Sequence, residues 1–215
     1  MVPGNPESRE RAREYLLVLR CQAGDDDAFS DLYDRFGPRS LRYLEGLLEP
    51  EEAADAHQEV WLSVFRRISG LNNPRAFKTW LYQITRHRAL DALRREKRRS
   101  EVLSVLNGEE EGVAPGMDEP HPEVQVLEAL GGNPALEAGL GKLAASHREV
   151  LLLRYWEEMS YAEVALIVGC SVGTVRSRLH HAKRNLKEAL ECLRPLGDES
   201  AERETAETAY DGEET

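Results

Sequence analysis

The sequence predicts an all-α protein of two small helical domains joined by a flexible acidic linker. Two observations carry that prediction. Apolar residues recur at three- and four-residue steps through two long stretches, with no strand-like alternation of any weight. Between those stretches the periodicity lapses, and Gly108, Gly112, Pro115, Gly116, Pro120 and Pro122 gather among carboxylates.

The first unit spans residues 9–99. Ala28, Phe29, Leu32, Tyr33 and Phe36 mark an amphipathic helix that Gly37-Pro38 is expected to interrupt, with Leu41, Tyr43, Leu44, Leu47 and Leu48 resuming it. A third helix is expected from about Glu51 to Ile68, with Val60, Trp61, Val64, Phe65 and Ile68 on its apolar side. Ser69-Gly70-Leu71-Asn72 ends it. Asn73 and Pro74 then restart a helix as cap and first helical residue, where the missing proline N–H costs nothing. Phe77, Trp80, Leu81, Ile84, Leu90 and Leu93 form its stripe, so Phe77 and Trp80 are expected in the core. Residues 100–135 read as the linker.

The second unit spans residues 136–194. Ser146-His-Arg-Glu149 and Ser160-Tyr-Ala-Glu163 both have the spacing of a capping box. Gly169-Cys170-Ser171 separates the Ser160 helix from one beginning near Val172, whose Val172, Val175, Leu179, Ala182, Leu186 and Leu190 hold one face. Residues 195–215 form an acidic tail, expected to be disordered. It carries eight acids against Arg203 alone.

Charge is segregated along the chain. The 215 residues have a formal net charge of −11, which by itself argues against a polyanionic partner. Yet Arg75 to Arg99 holds nine basic residues against Asp91 and Glu96, and Val172 to Arg194 holds six against Glu188 and Glu191. Glu101 to Glu128 holds eight carboxylates and no Lys or Arg. Only the contacting surface meets phosphate, so two basic segments in an acidic chain still suit nucleic acid.

Other classes find less support. No apolar run approaches the length of a spanning helix, and the first ten residues lack a leader's apolar core, so a cytoplasmic protein is expected. Cys21, Cys170 and Cys192 are too few and too scattered for a disulfide framework or a zinc site. His57 near Glu59 is not a metal motif, and Gly131-Gly132 is not a phosphate loop. No metal, cofactor or catalytic group is expected.

Ser160 to Arg184 carries the sharpest signal: a capped helix of about eight residues, a turn containing Gly169, and a basic second helix, which is a helix-turn-helix. Val164, Ala165 and Val168 would pack on Val172, Val175 and Leu179. Ser171, Thr174, Arg176, Ser177, Arg178, His180, His181 and Arg184 would then face a major groove, hydroxyls toward phosphate and arginines toward guanine. On the earlier basic helix, Lys78, Tyr82, Arg86, His87, Arg94 and Arg95 are the expected exposed contacts, since basic and aromatic groups together suit an opened strand. Asp55, Gln58, Glu59 and Leu62 share one side of the third helix, an acidic amphipathic patch.

These residues carry a resemblance. Asp25-Asp-Asp-Ala-Phe-Ser-Asp-Leu-Tyr, Asp55-Ala-His-Gln-Glu-Val-Trp-Leu and Phe77-Lys-Thr-Trp-Leu-Tyr-Gln-Ile-Thr-Arg resemble domain two of the sigma-70 family. His147-Arg-Glu-Val-Leu-Leu-Leu-Arg-Tyr, Tyr161-Ala-Glu-Val-Ala and Gly173-Thr-Val-Arg-Ser-Arg-Leu-His look like its domain four. The lack of an inhibitory N-terminal domain and of a domain three points to the small extracytoplasmic-function (ECF) group.

The resemblance implies roles. Asp55, Gln58, Glu59, Trp61 and Leu62 would bind the clamp helices of the largest subunit of core RNA polymerase. The Pro74–Arg99 helix and the turn before it would recognise and open the minus-ten element, and the Val172–Arg184 helix would read the minus-thirty-five element. The linker would thread the polymerase channel that RNA later fills. An anti-sigma factor is the usual inhibitor in the family. His87 stands where many relatives carry Asn, and His181 replaces a frequent Arg, which bears on promoter sequence. The alternative is a helix-turn-helix regulator that is not a polymerase subunit, which would leave the Asp55 face and the first basic helix without a role.

Overall fold

The computed structural model describes residues 6–107 and 134–193, and every regular element among them is helical. The N-terminal unit comprises α1 (Pro6–Gln22), α2 (Asp26–Glu45), α3 (Pro50–Arg67), 3-10 turns at Ile68–Gly70 and Pro74–Ala76, and α4 (Phe77–Asn107). The C-terminal unit comprises α5 (Pro134–Gly141), α6 (Ala145–Leu151), a π-helical turn (Leu152–Trp156), α7 (Tyr161–Val168) and α8 (Val172–Leu193). The expected linker and tail fall largely outside the described residues, at 108–133 and 194–215.

Asp25 starts α2 by accepting the Ala28 N–H at 3.0 Å, and Asp26 and Asp27 oppose the positive end of the helix dipole. Contrary to expectation, α2 continues straight through Gly37-Pro38. Proline removes an N–H donor from the helix ladder. Buried side chains bind the backbone at that point: Ser40 Oγ lies 2.9 Å and His57 Nε2 2.9 Å from the Gly37 carbonyl, and Trp61 Nε1 donates to Ser40 Oγ at 3.1 Å. Leu32, Phe36, Val60, Val64, Phe77 and Leu81 fill the core around them.

Asn73 caps the turn that leads into α4 by accepting the Arg75 N–H at 3.2 Å. Phe77 is buried and Trp80 partly buried against the core, as the stripe predicts. The helix runs on past the expected end near Arg99 to Asn107.

Of the two expected capping boxes, one forms. Ser160 Oγ accepts the Glu163 N–H at 3.3 Å, and the Glu163 carboxylate accepts the Ser160 N–H at 2.8 Å. Gly169, at φ +73°, ends α7 in the left-handed conformation that glycine adopts without steric cost. The Ser146–Glu149 box does not form: α6 follows Ala144, which makes no side-chain cap. Glu149 turns instead toward the N-terminal unit.

The two units pack together. α7 lies on α4, and the buried apolar residues of both units form one continuous core. At the α2 C-terminus, Gly46 lies against the end of the Leu152 side chain, and any side chain there would have to displace that methyl. No helix among the described residues is long and apolar enough to cross a membrane.

Candidate nucleic-acid interface

The α7–turn–α8 segment has the predicted helix-turn-helix geometry. Val164, Ala165, Val168, Val175, Leu179 and Ala182 are buried between the helices. Ser171 caps the start of α8 by accepting the Thr174 N–H at 3.0 Å, and its hydroxyl lies 2.9 Å from that of Thr174. Arg176, Ser177, His180 and Arg184 are exposed, while Thr174, Arg178 and His181 are half-buried at the edges of the same face. His181 stacks on His147 with ring centroids 6.3 Å apart.

A cation–aromatic strip borders this face. Arg154 lies over Tyr155 and Tyr161, Arg176 over Tyr161, and Lys183 over Tyr155, at 5.2–5.9 Å from the ring centroids. Tyr155 and Tyr161 are exposed. Arg154, Tyr155, Tyr161 and Lys183 were not among the expected contacts, because they are adjacent only once the wide π-helical turn brings its residues beside α8.

On the N-terminal unit, a recess of about 680 Å³ opens between Arg66, Arg67, the turn Ser69–Asn73, Trp80 and Gln83. Arg67 lies over the Trp80 ring at 6.0 Å. Leu166 of α7, itself exposed, stands on its rim. His87, Arg94 and Arg95 are exposed farther along α4, His87 and Arg94 beside Asp91.

The outer face of α3 is acidic and apolar together. Asp55, Gln58 and Leu62 are exposed, and Phe65 extends the row at 58% exposure, although the sequence pattern put it on the apolar side. Phe65 meets Phe29 edge to face, with centroids 5.1 Å apart. Glu59 sits at the border of the face, 3.4 Å from Arg88 and 3.6 Å from Arg95.

Between the units lies a cluster of buried charge. The Glu149 carboxylate receives Tyr43 Oη at 2.8 Å and Arg86 Nε at 2.7 Å. Glu157 stands 3.2 Å from Arg39 Nε and 3.8 Å from Lys78 Nζ, and Lys78 also donates to the Glu157 carbonyl. Burial, opposed by Glu157, holds the Lys78 ammonium below its ordinary pKa. Burial first, then Glu149, pushes the Tyr43 phenol well above its ordinary range, so it stays protonated and donates. Arg148, almost fully buried, donates to the carbonyls of Gly46, Gly141 and Leu143 at 3.1–3.2 Å. Among the described residues, no group of three or more His, Cys, Asp and Glu is placed to hold a metal ion.

Two family models match in the order of the two units: Sigma-70 region 2 over residues 32–99 and Sigma-70, region 4 over residues 135–186. The RNA polymerase sigma-H factor of Pseudomonas aeruginosa is 31% identical over 189 residues, 84% of this chain and 95% of its own. The ECF RNA polymerase sigma factor BldN of Streptomyces coelicolor is 32% identical over 185 residues, 84% of this chain and 67% of its own. The chain belongs to the sigma-70 family, in its ECF group. The fold is also that of the sigma factor RpoE of Bartonella quintana, solved with the anti-sigma factor NepR. That match has a TM-score of 0.58 and 22% identity, covering 76% of this chain and 96% of that one.

Four expected site residues of this sigma factor stand differently from their prediction. Trp61 is 5% exposed and hydrogen-bonded inward to Ser40, so it supports the α3 face from beneath. Tyr82 is fully buried, against the Tyr43 ring, because the C-terminal unit covers that side of α4. Arg86 and Lys78 are held by carboxyl-bearing residues of the same unit. An amphipathic pattern read for one unit alone assigned that side of α4 to solvent.

Proposed function

We propose that this ECF sigma factor joins core RNA polymerase through the α3 face and brings two DNA-reading surfaces to the promoter. Asp55, Gln58 and Leu62, with Phe65 and the border residue Glu59, form the polymerase surface. Acid suits basic clamp helices, and the exposed Leu62 and Phe65 supply the apolar centre that a stable interface needs. The turn Ser69–Asn73 and α4 form the minus-ten surface, with Arg66, Arg67 and Trp80 around a recess that suits an unstacked base. The α8 face from Ser171 to Arg184 forms the minus-thirty-five surface, and Arg154, Tyr155, Tyr161 and Lys183 extend it toward phosphate.

The observation that carries this reading is the coexistence of a formed helix-turn-helix with an exposed acidic–apolar α3 face on a different unit. A helix-turn-helix regulator accounts for the first and leaves the second unused. The chain acts by binding, without catalysis of its own, on cytoplasmic promoter DNA, and an anti-sigma factor is its expected inhibitor. Gel filtration with bacterial core polymerase tests the reading. The full-length protein co-elutes with the enzyme, and Asp55→Lys with Leu62→Glu elutes free at an unchanged melting temperature. Free elution of the unaltered protein would refute it.

A further inference from the structure

We propose that Gln22 is a positioning residue for promoter reading: its side-chain amide holds the turn Ser69–Asn73 in the shape that accepts an unstacked base. The proposal rests on the minus-ten role given to that turn above, and deepens it. Gln22 ends α1, outside the residues that either family model matches. Its Nε2 donates to the Ile68 carbonyl at 3.0 Å and to the Leu71 carbonyl at 2.8 Å, 46 and 49 residues along the chain. Those two carbonyls bracket Ser69 and Gly70. Beyond the turn, Arg75 lies over the ring of Tyr15, on the same helix, at 5.2 Å. One helix thus braces the turn at both ends.

The chemistry fits the residue type. Both partners are acceptors, so the amide nitrogen faces them, and a primary amide carries one N–H for each. A glutamate of the same length would set oxygen against two oxygens. Val18 and Cys21 are buried on the same helix, so core packing fixes where the amide stands. The turn needs such a hold. Ser69, Gly70, Asn72 and Asn73 are exposed, and of its residues only Leu71 packs against the core. A trans peptide points its N–H opposite to its carbonyl. With the Leu71 carbonyl drawn to α1, the Asn72 N–H is turned away from α1, and Asn72 lines the recess beside Trp80. A backbone donor set in advance reads a base without the cost of ordering the turn on binding.

The test uses full-length protein assembled with bacterial core RNA polymerase, as the unaltered chain, Gln22→Met and Val18→Ala. Methionine keeps the length of the side chain and removes both N–H groups. Val18→Ala opens a cavity under the same helix and leaves the amide in place, so it controls for lost stability. The probe is single-stranded DNA with a randomised centre, and bound and unbound molecules are sequenced. The unaltered holoenzyme should prefer one base by about tenfold at one position of the enriched motif, the size of a single base contact. Gln22→Met should lose that preference while its affinity for core polymerase stays unchanged, and Val18→Ala should keep it. Selection of the same base as strongly by Gln22→Met would overturn the proposal, as would an equal loss in Val18→Ala. A flat preference in the unaltered holoenzyme would also overturn it. Association of the unaltered protein with core polymerase is scored separately by gel filtration, so that outcome is distinguishable from a failed sigma reading.

Discussion

Tyr43 on α2 donates a buried 2.8 Å hydrogen bond to Glu149 on α6, 106 residues along the chain. The bond joins the two halves of the molecule through a charged acceptor, a class that contributes about 1.5–3 kcal/mol. Tyr43→Phe removes the donor and leaves Glu149 its bond to Arg86. Urea unfolding of the full chain should show a loss of about 2 kcal/mol. A midpoint equal to that of the unaltered protein would mean that the units do not dock this way in solution.

The α3 face predicts loss of binding without loss of stability. Leu62 and Phe65 are 54% and 58% exposed, so Leu62→Asp or Phe65→Ser removes little that folding buries. Each should weaken association with core polymerase by at least about tenfold, as expected of central apolar anchors. Melting temperatures should stay within a degree or two, as is usual for exposed positions. Surface plasmon resonance on immobilised core polymerase measures the first quantity, and differential scanning calorimetry the second.

Base reading and phosphate binding should separate on α8. Lys183, exposed over Tyr155, is assigned to phosphate, so Lys183→Gln should weaken binding to every sequence alike and lower the salt slope by about 0.9. Arg176 and Arg184 face the groove on this reading. Truncating a residue that reads a base should cost about 1–3 kcal/mol and relax the preference at one promoter position. Salt-series binding of the holoenzyme to a library of promoter variants distinguishes the two patterns.

His57 predicts a pH dependence of stability. Burial holds its imidazole pKa below the ordinary 6.5, with the Gly37 carbonyl opposing the shift. The unfolded chain therefore takes up a proton near pH 6.5 that the folded chain refuses until lower pH. Stability is full above that point and falls as the solution is acidified through the depressed value. Between pH 7.5 and 5, His57→Gln should lose less melting temperature than the unaltered protein. It should also start lower, because the contact with Gly37 is changed. An equal fall in both proteins would assign the acid sensitivity to other groups.

What the sequence made legible was local. Ser160 and Glu163 close a capping box across three residues, and Gly169 turns the chain beside them, so the helix-turn-helix could be read from spacing alone. The continuity of α2 through Pro38 could not, because α2 is packed against α3 and α4, whose residues lie well away from Pro38 in sequence. Glu149 has the same local spacing as Glu163, yet one caps its own helix and the other crosses to Arg86. Spacing alone does not distinguish a carboxylate drawn to its own backbone from one drawn to a distant cation. Tyr82 departs from its expected exposure for a related reason. Its side of α4 is exposed in an isolated unit and buried once the second unit docks.

The most direct test of the account is run-off transcription with bacterial core RNA polymerase, on a template taken from the DNA upstream of this protein's own gene. A discrete transcript should appear that depends on the added protein and disappears with Asp55→Lys and Leu62→Glu. A polymerase that binds the protein but transcribes no differently on any upstream template, or one that never binds it, would contradict the account.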